Sequence, residues 1–188
     1  PDSFSLYLSI PFCPTRCDYC SFVSQTVVRA AKLIPEYVRL LAQEVAQTGV
    51  QARELGLRLE TVYFGGGTPT TLTAEQLDTL LRAVEEHFDL SSVREYTVEA
   101  GRPDTVTEEK FRVLRRHGVS RISINPQTLN DGVLRNIGRR HTAEQFYEAF
   151  DLARRCGFDH INTDLIAGLP GDDYEGFTQT LEGILRLD

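Results

Sequence analysis

The chain alternates short runs of period-two apolar residues with longer stretches of helical spacing. Ser5-Leu6-Tyr7-Leu8-Ser9-Ile10 opens it, with apolar side chains on every second position, as a half-buried strand requires. Over Pro35 to Thr48, Tyr37, Leu40, Leu41 and Val45 recur at three- and four-residue steps and predict a helix with one apolar stripe. The unit then repeats. A strand over 60–64 precedes a helix over 74–88, opened by Thr73 with Gln76 three residues on, the pattern of a capping box. A strand over 94–99 precedes a helix capped by Thr107 and ended at His117 by Gly118. A strand over 120–124 precedes helical segments over 130–137 and 143–155, the second stopped by Gly157. A strand over 161–166 precedes a last helix over 174–187.

Five βα units in succession predict an α/β fold, a parallel sheet with helices on its outside. That leaves a curved or closed barrel and a doubly wound open sheet as the two arrangements. The chain stops after a helix, which reads as a cut within a larger barrel. One domain over 1–188 is expected, since no flexible linker, low-complexity segment or close repeat interrupts it.

Composition narrows the function classes. With 41% hydrophobic and 25% charged residues this is an ordinary globular chain, not a disordered polymer. A net charge of −7 and a pI near 5.2 argue against general nucleic-acid binding, which depends on clustered cations. Lys32 and Lys110 are the only lysines, so almost all positive charge is arginine, suited to discrete anion contacts. No apolar run is long enough to span a membrane and the first residues lack the blocks of a secretory signal, so a cytoplasmic setting is expected. The absence of methionine suggests a processed or excised piece.

In parallel βα folds functional residues collect at the carboxyl ends of the strands. Here those ends carry the segments 11–20, 65–69, 99–104, 125–127 and 164–171, which therefore converge on one face. Cys13, Cys17 and Cys20 form Cys-x3-Cys-x2-Cys just after the first strand. Three cysteines cannot pair off among themselves, and three thiolates within eight residues can fold around one metal centre. Zinc would need a fourth ligand. Cys156, near a helix end and at the wrong end of the next strand, reads as a small buried residue. Iron-sulfur ligation by three cysteines leaves one iron open to a small molecule. After the second strand, Gly65-Gly66-Gly67-Thr68-Pro69 lacks three Cβ atoms in a row, so backbone groups can approach a ligand closely.

The cysteine spacing, with Tyr19 before the third thiol, resembles the signature of radical S-adenosylmethionine (radical SAM) enzymes. That resemblance implies a partial (β/α) barrel of the radical SAM type with about five βα units. It also implies a [4Fe-4S] cluster whose open iron is chelated by SAM, and a 5′-deoxyadenosyl radical released on reduction. The stretches Tyr7–Cys13, Gly65–Thr70, Glu99–Asp104, Ser123–Gln127, Ile137–His141 and Asp164–Gly171 further resemble the oxygen-independent coproporphyrinogen III oxidase (coproporphyrinogen dehydrogenase) family.

By position, the resemblance makes Cys13, Cys17 and Cys20 the metal ligands. Tyr7 becomes the catalytic residue beside the cluster and the sulfonium. Tyr19, Gly66, Gly67, Thr68, Glu99, Gln127, Arg139 and Asp164 become SAM-binding residues: Gly66, Gly67 and Thr68 on the methionyl part, Glu99 on the ribose hydroxyls, Arg139 on a carboxylate. The implied reaction in heme biosynthesis turns propionates of coproporphyrinogen III into the vinyl groups of protoporphyrinogen IX. Implied partners are the tetrapyrrole substrate and a reductase or a flavodoxin- or ferredoxin-type electron donor. A C-terminal barrel strand and a substrate domain would then lie beyond residue 188. Phe22 stands where some members carry a further Cys, which puts a second bound SAM in doubt. The pattern ending in Phe22 is shared with a branch of heme chaperones, the alternative reading, and a zinc-stabilised βα module is a third. For His141, a helix-end cap and a chemical role both stay open.

Overall fold

The computed structural model describes residues 2–187. In chain order its elements are β1 (Ser3–Ile10), β2 (Phe12–Cys13), β3 (Gln25–Thr26), α1 (Val27–Ala30), α2 (Ile34–Glu54), β4 (Arg58–Gly66), α3 (Ala74–His87), β5 (Glu95–Glu99), α4 (Glu108–Arg116), β6 (Arg121–Ser123), α5 (Asp131–Asn136), α6 (Ala143–Arg155), β7 (His160–Asn162) and α7 (Tyr174–Leu185). Strands β1, β4, β5, β6 and β7 pair in that order as one sheet, each neighbouring pair parallel. Every strand thus lies beside its successor, the order a curved barrel wall requires, whereas a doubly wound sheet reverses direction at a switch point. Among the described residues no helix is long and apolar enough to cross a membrane.

Local sequence explains the helix starts. Thr73 and Gln76 form the expected reciprocal capping box, and Thr142 with Gln145 forms a second. The Thr107 side chain accepts from the amide of Lys110. Two boundaries differ from expectation. Helix α2 runs past Thr48 to Glu54, because Gly49 is not a stop: a Cβ there would lie 2.7 Å from the His87 carbonyl oxygen, so the glycine lets α2 and α3 approach. The buried stripe of α2 is Ile34, Val38, Val45, Gly49 and Ala52, which leaves Leu40 exposed. Strand β7 ends at Asn162 rather than residue 166. The amide of Asp164 is taken by the Asn125 side chain at 3.0 Å, so regular pairing breaks there and resumes as a single bridge between Gln127 and Leu165.

The register sorts the two sheet faces. Leu8 opposes Phe64, Phe64 opposes Val98 and Val98 opposes Ile122. These four are buried beneath the helices with Leu77, Leu81, Phe111, Leu114 and Phe146. Burying such side chains contributes about 1.5–3 kcal/mol each, so this face carries the fold. Alternation then forces the intervening residues to the other face. There Tyr7 opposes Tyr63, Tyr63 opposes Thr97, and Glu99 opposes Ser123. The inner face is therefore polar because the outer face is not.

Candidate functional site

The strand ends and the cysteine loop close around a cavity of about 170 Å³. Its lining includes Cys13, Cys17, Tyr19, Cys20, Gly66, Gly67, Thr68, Glu99, Gln127, Arg139 and Asp164, all singled out by the sequence, together with Thr15, Arg102 and Asn125. A larger concavity of about 710 Å³ lies on the outer surface between α2 and α3 and holds none of these residues.

The cysteine loop is fixed at both ends. Phe12 and Cys13 pair with Gln25 and Thr26, and the Gln25 amide donates to the Pro11 carbonyl at 2.8 Å. The glycine turn seats directly against it. The Gly67 amide donates to Ile10 and the Thr68 amide to Phe12, each at 2.8 Å. A Cβ at Gly67 would lie 2.9 Å from the Cys13 sulfur, so no other residue lets the turn rest on that thiol undisturbed. Gly66 lies at φ 104°, where side chains are disfavoured. The Thr68 hydroxyl stands 3.5 Å from the Cys13 sulfur. Among the described residues no three His, Cys, Asp or Glu side chains already converge in metal-holding geometry, so the three thiols share a wall without yet meeting at a point. As soft donors they suit iron or zinc.

Two buried guanidiniums flank the thiols. Arg139 donates through Nη1 to the carbonyls of Gly101 (3.1 Å) and Asn125 (2.8 Å), and through Nε and Nη2 to the Tyr19 hydroxyl at 3.1 and 2.9 Å. Burial pushes the Tyr19 phenol up to about 12, against the opposing pull of Arg139. Arg102 donates to the Cys17 sulfur at 3.3 Å. Among the described residues Arg139 has no carboxylate within ion-pair distance, so its partners are neutral and an anion would suit its Tyr19 edge.

On the opposite wall the Tyr63 hydroxyl donates to the Glu99 carboxylate at 2.6 Å. Burial lifts the Glu99 carboxyl above the ordinary range, with the Tyr63 bond opposing, and burial together with Glu99 lifts the Tyr63 phenol. Gln127 holds φ 68°, rare for a side-chain-bearing residue; its amide accepts its place by donating to the Asp164 carbonyl at 3.2 Å. Tyr7 stands apart from the lining. It is 57% exposed and stacks on Tyr63 at 5.7 Å, and partial burial followed by the nearby Glu99 charge lifts its phenol.

His141 is 2% exposed between α5 and α6, with no well-formed hydrogen bond at either ring nitrogen and the Pro126 carbonyl as its near acceptor. Burial and then the Arg139 charge lower its pKa to about 4. It is a neutral buried ring, not a cap. Cys156 caps α6 and packs against the core, away from the other thiols. Sequence reasoning missed Tyr63, Arg102 and Asn125 as individual residues. Tyr63 was accessible from alternation, since it shares a face with Tyr7.

The model of the radical SAM superfamily matches residues 7–184. The oxygen-independent coproporphyrinogen-III oxidase-like protein HemZ of Bacillus subtilis is 44% identical over 187 residues, covering 99% of this chain and 37% of that protein. The heme chaperone HemW of Lactococcus lactis is 38% identical over 183 residues, covering 97% of this chain and 46% of its own length. Among solved structures, coproporphyrinogen III oxidase (HemN) from Escherichia coli superposes with a TM-score of 0.87 at 30% identity, covering 98% of this chain and 42% of that one. The chain thus spans less than half the length of these three relatives.

Proposed function

The chain belongs to the radical SAM superfamily, and from that premise we propose that it forms the core of an enzyme of the oxygen-independent coproporphyrinogen III oxidase type. The superfamily uses a [4Fe-4S] cluster and S-adenosylmethionine. When bound, that pair supplies a carbon-centred abstractor of hydrogen atoms. The residues present fit it: three soft thiols, one vacant ligand position by count, and a glycine turn that leaves the Cys13 sulfur uncrowded.

The protein's own work is placement and exclusion. Cys13, Cys17 and Cys20 would ligate the cluster. Backbone groups of Gly66, Gly67 and Thr68 would take the methionyl amine. Glu99 would accept from ribose hydroxyls, its Tyr63 hydrogen bond fixing one oxygen and leaving the other free. A cofactor carboxylate would take the edge of Arg139 now occupied by the Tyr19 hydroxyl, while Gln127 and Asp164 complete the polar rim. Tyr7, on the open side of Tyr63, would shield the reacting centre. In the reaction a propionate loses one hydrogen atom, then carbon dioxide and one electron, leaving a vinyl group. Holding the reacting carbon beside one C–H bond would be the scaffold's contribution to that step.

The observation that carries this reading is the convergence of the three cysteines, the glycine turn, Glu99, Gln127, Arg139 and Asp164 on one cavity. Anaerobic reconstitution of the full-length protein tests it. Bound iron and acid-labile sulfide, followed by conversion of coproporphyrinogen III in the presence of SAM and a low-potential reductant, are expected. Zinc without sulfide would refute the cluster. A second reading, a heme chaperone on the same scaffold, is favoured by Phe22 in the cavity lining and by the identity to the Lactococcus lactis relative. Stoichiometric heme binding with no protoporphyrinogen formed would select it.

A further inference from the structure

Arg102 carries no role in the reaction outlined above, yet it is the cation in contact with a cluster ligand. Its side chain is 3% exposed, and each of its nitrogens is engaged. Nη1 donates to the Cys17 sulfur at 3.3 Å, Nη2 to the Thr15 hydroxyl at 2.9 Å and Nε to an Asp104 oxygen at 3.4 Å. Thr15 is itself anchored, donating to the Gly138 carbonyl at 2.7 Å. The main chain is equally fixed: the Arg102 carbonyl accepts from the Thr105 hydroxyl at 2.7 Å and from its amide at 3.0 Å. The guanidinium therefore cannot swing away from the sulfur without breaking a braced network.

We propose that Arg102 is a positioning residue that raises the reduction potential of the cluster through its hydrogen bond to Cys17. This rests on the radical SAM reading of the site. A reduced cluster carries one more negative charge than an oxidised one. A cation donating to a ligand sulfur withdraws electron density from it and stabilises the reduced form. Both partners are buried, so water screens the interaction little. Asp104 offsets part of the charge, but only through a long contact at 3.4 Å on the far nitrogen. The geometry also argues against Arg102 as a clamp for a cofactor carboxylate, because its fork spans a sulfur and a hydroxyl anchored on the Gly138 carbonyl, whereas the Arg139 fork faces the hydroxyl of the exposed Tyr19.

The test is a potentiometric titration of the full-length protein, reconstituted anaerobically without SAM and followed by electron paramagnetic resonance. Arg102→Gln is expected to make the cluster about tenfold harder to reduce, which corresponds to about 59 mV for one electron. Arg102→Lys keeps the charge without the fork and is expected to recover part of that loss. Thr15→Val frees Nη2 and is expected to lie between wild type and Arg102→Gln. Should Arg102→Gln fail to load iron, the other two variants carry the same comparison. Potentials equal to wild type overturn the inference, and so would a loss of SAM affinity with the potential unmoved, which would make Arg102 a cofactor ligand. A wild-type protein that assembles no cluster sinks the radical SAM reading instead, so the two failures are distinct.

Discussion

Replacing Gly67 by Ala puts a methyl group where the cysteine loop already stands. An ideal Cβ at this position falls 2.8 Å from the Phe12 oxygen, 2.9 Å from the Cys13 sulfur and 3.0 Å from the Phe12 nitrogen. Two of these atoms are main chain, and the Phe12 carbonyl is held by the Thr68 amide at 2.8 Å, so they cannot turn aside. Gly101, on the same rim, supplies the control: a Cβ there meets only the Asn125 side-chain nitrogen, at 3.5 Å, an ordinary contact. Neither glycine has positive φ, so neither substitution strains the backbone. Each removes similar freedom from the unfolded chain, about 0.4–1 kcal/mol, and that effect cancels between them. What remains is overpacking at position 67, about 1–3 kcal/mol. At roughly 2–4 °C per kcal/mol, Gly67→Ala should melt about 2–12 °C below Gly101→Ala by circular dichroism. It should also displace the Cys13 thiol and lower the iron bound per chain after anaerobic reconstitution, which Gly101→Ala should not. Melts that coincide within about 1 °C, with equal iron, would refute the contact between the glycine turn and the ligand loop.

Three further outcomes follow from the same geometry. Because the folded state raises the Glu99 carboxyl, it binds more protons than the unfolded chain just above the ordinary carboxylate pKa, so this group's contribution to stability falls as pH rises through that window. Glu99→Gln should flatten that fall in melting temperatures taken between about pH 4 and neutrality; an unchanged slope contradicts the burial of the charge. His141 runs the other way: lowered from 6.5 to about 4, it favours the fold above 6.5 and loses that contribution as pH drops toward 4. Its ring signals in a carbon-proton NMR titration should stay neutral at about pH 5.5, and protonation near 6.5 would show the ring to be solvated. Cys17→Ser should abolish cluster assembly while leaving the circular dichroism spectrum intact, since Cys17 lies outside the apolar cluster that carries the fold; gross unfolding would contradict it.

Element order and the face on which the site lies were legible in the sequence because both depend only on periodicity. Period-two runs followed by capped helical stretches define βα units, and parallel units expose their carboxyl ends together. The capping boxes at Thr73 and Thr142 mark local chemistry that needs no tertiary partner. Gly49 shows the limit of such reasoning. As a local signal it reads as a helix stop, and only the crossing of α2 over His87 makes it an interior residue. The early end of β7 is similar, since it depends on the Asn125 side chain capturing the Asp164 amide from 39 positions away.

The site residues divide along the same line. Cys13, Cys17, Cys20 and the glycine turn announce themselves by residue type and spacing, and all reach the cavity. Tyr63, Arg102 and Asn125 have ordinary identities and acquire roles only from what register and loop folding bring near them. Tyr63 meets Glu99 because Tyr63 opposes Thr97, which puts Glu99 one residue pair further along the same face. Arg102 meets Cys17 across 85 positions. The second of these contacts belongs to one of two arginines, Arg102 and Arg139, that an acidic chain with a net charge of −7 buries in the cavity of its thiols. Arg139 is surrounded by neutral acceptors, and Arg102, beside its sulfur and hydroxyl partners, is paired with a single carboxylate, Asp104, at 3.4 Å. Buried cations so partnered cost more than a core of the same volume unless negative charge stands close by. With a cluster bound, its ligands Cys13, Cys17 and Cys20 would supply that charge from within the chain, and a cofactor carboxylate at the Tyr19 edge of Arg139 would complete it. On the proposed reading both guanidiniums serve as counter-charge for that centre, so in a chain lacking the three thiols Arg102→Gln and Arg139→Gln should raise the melting temperature, and a lowered one would contradict the assignment.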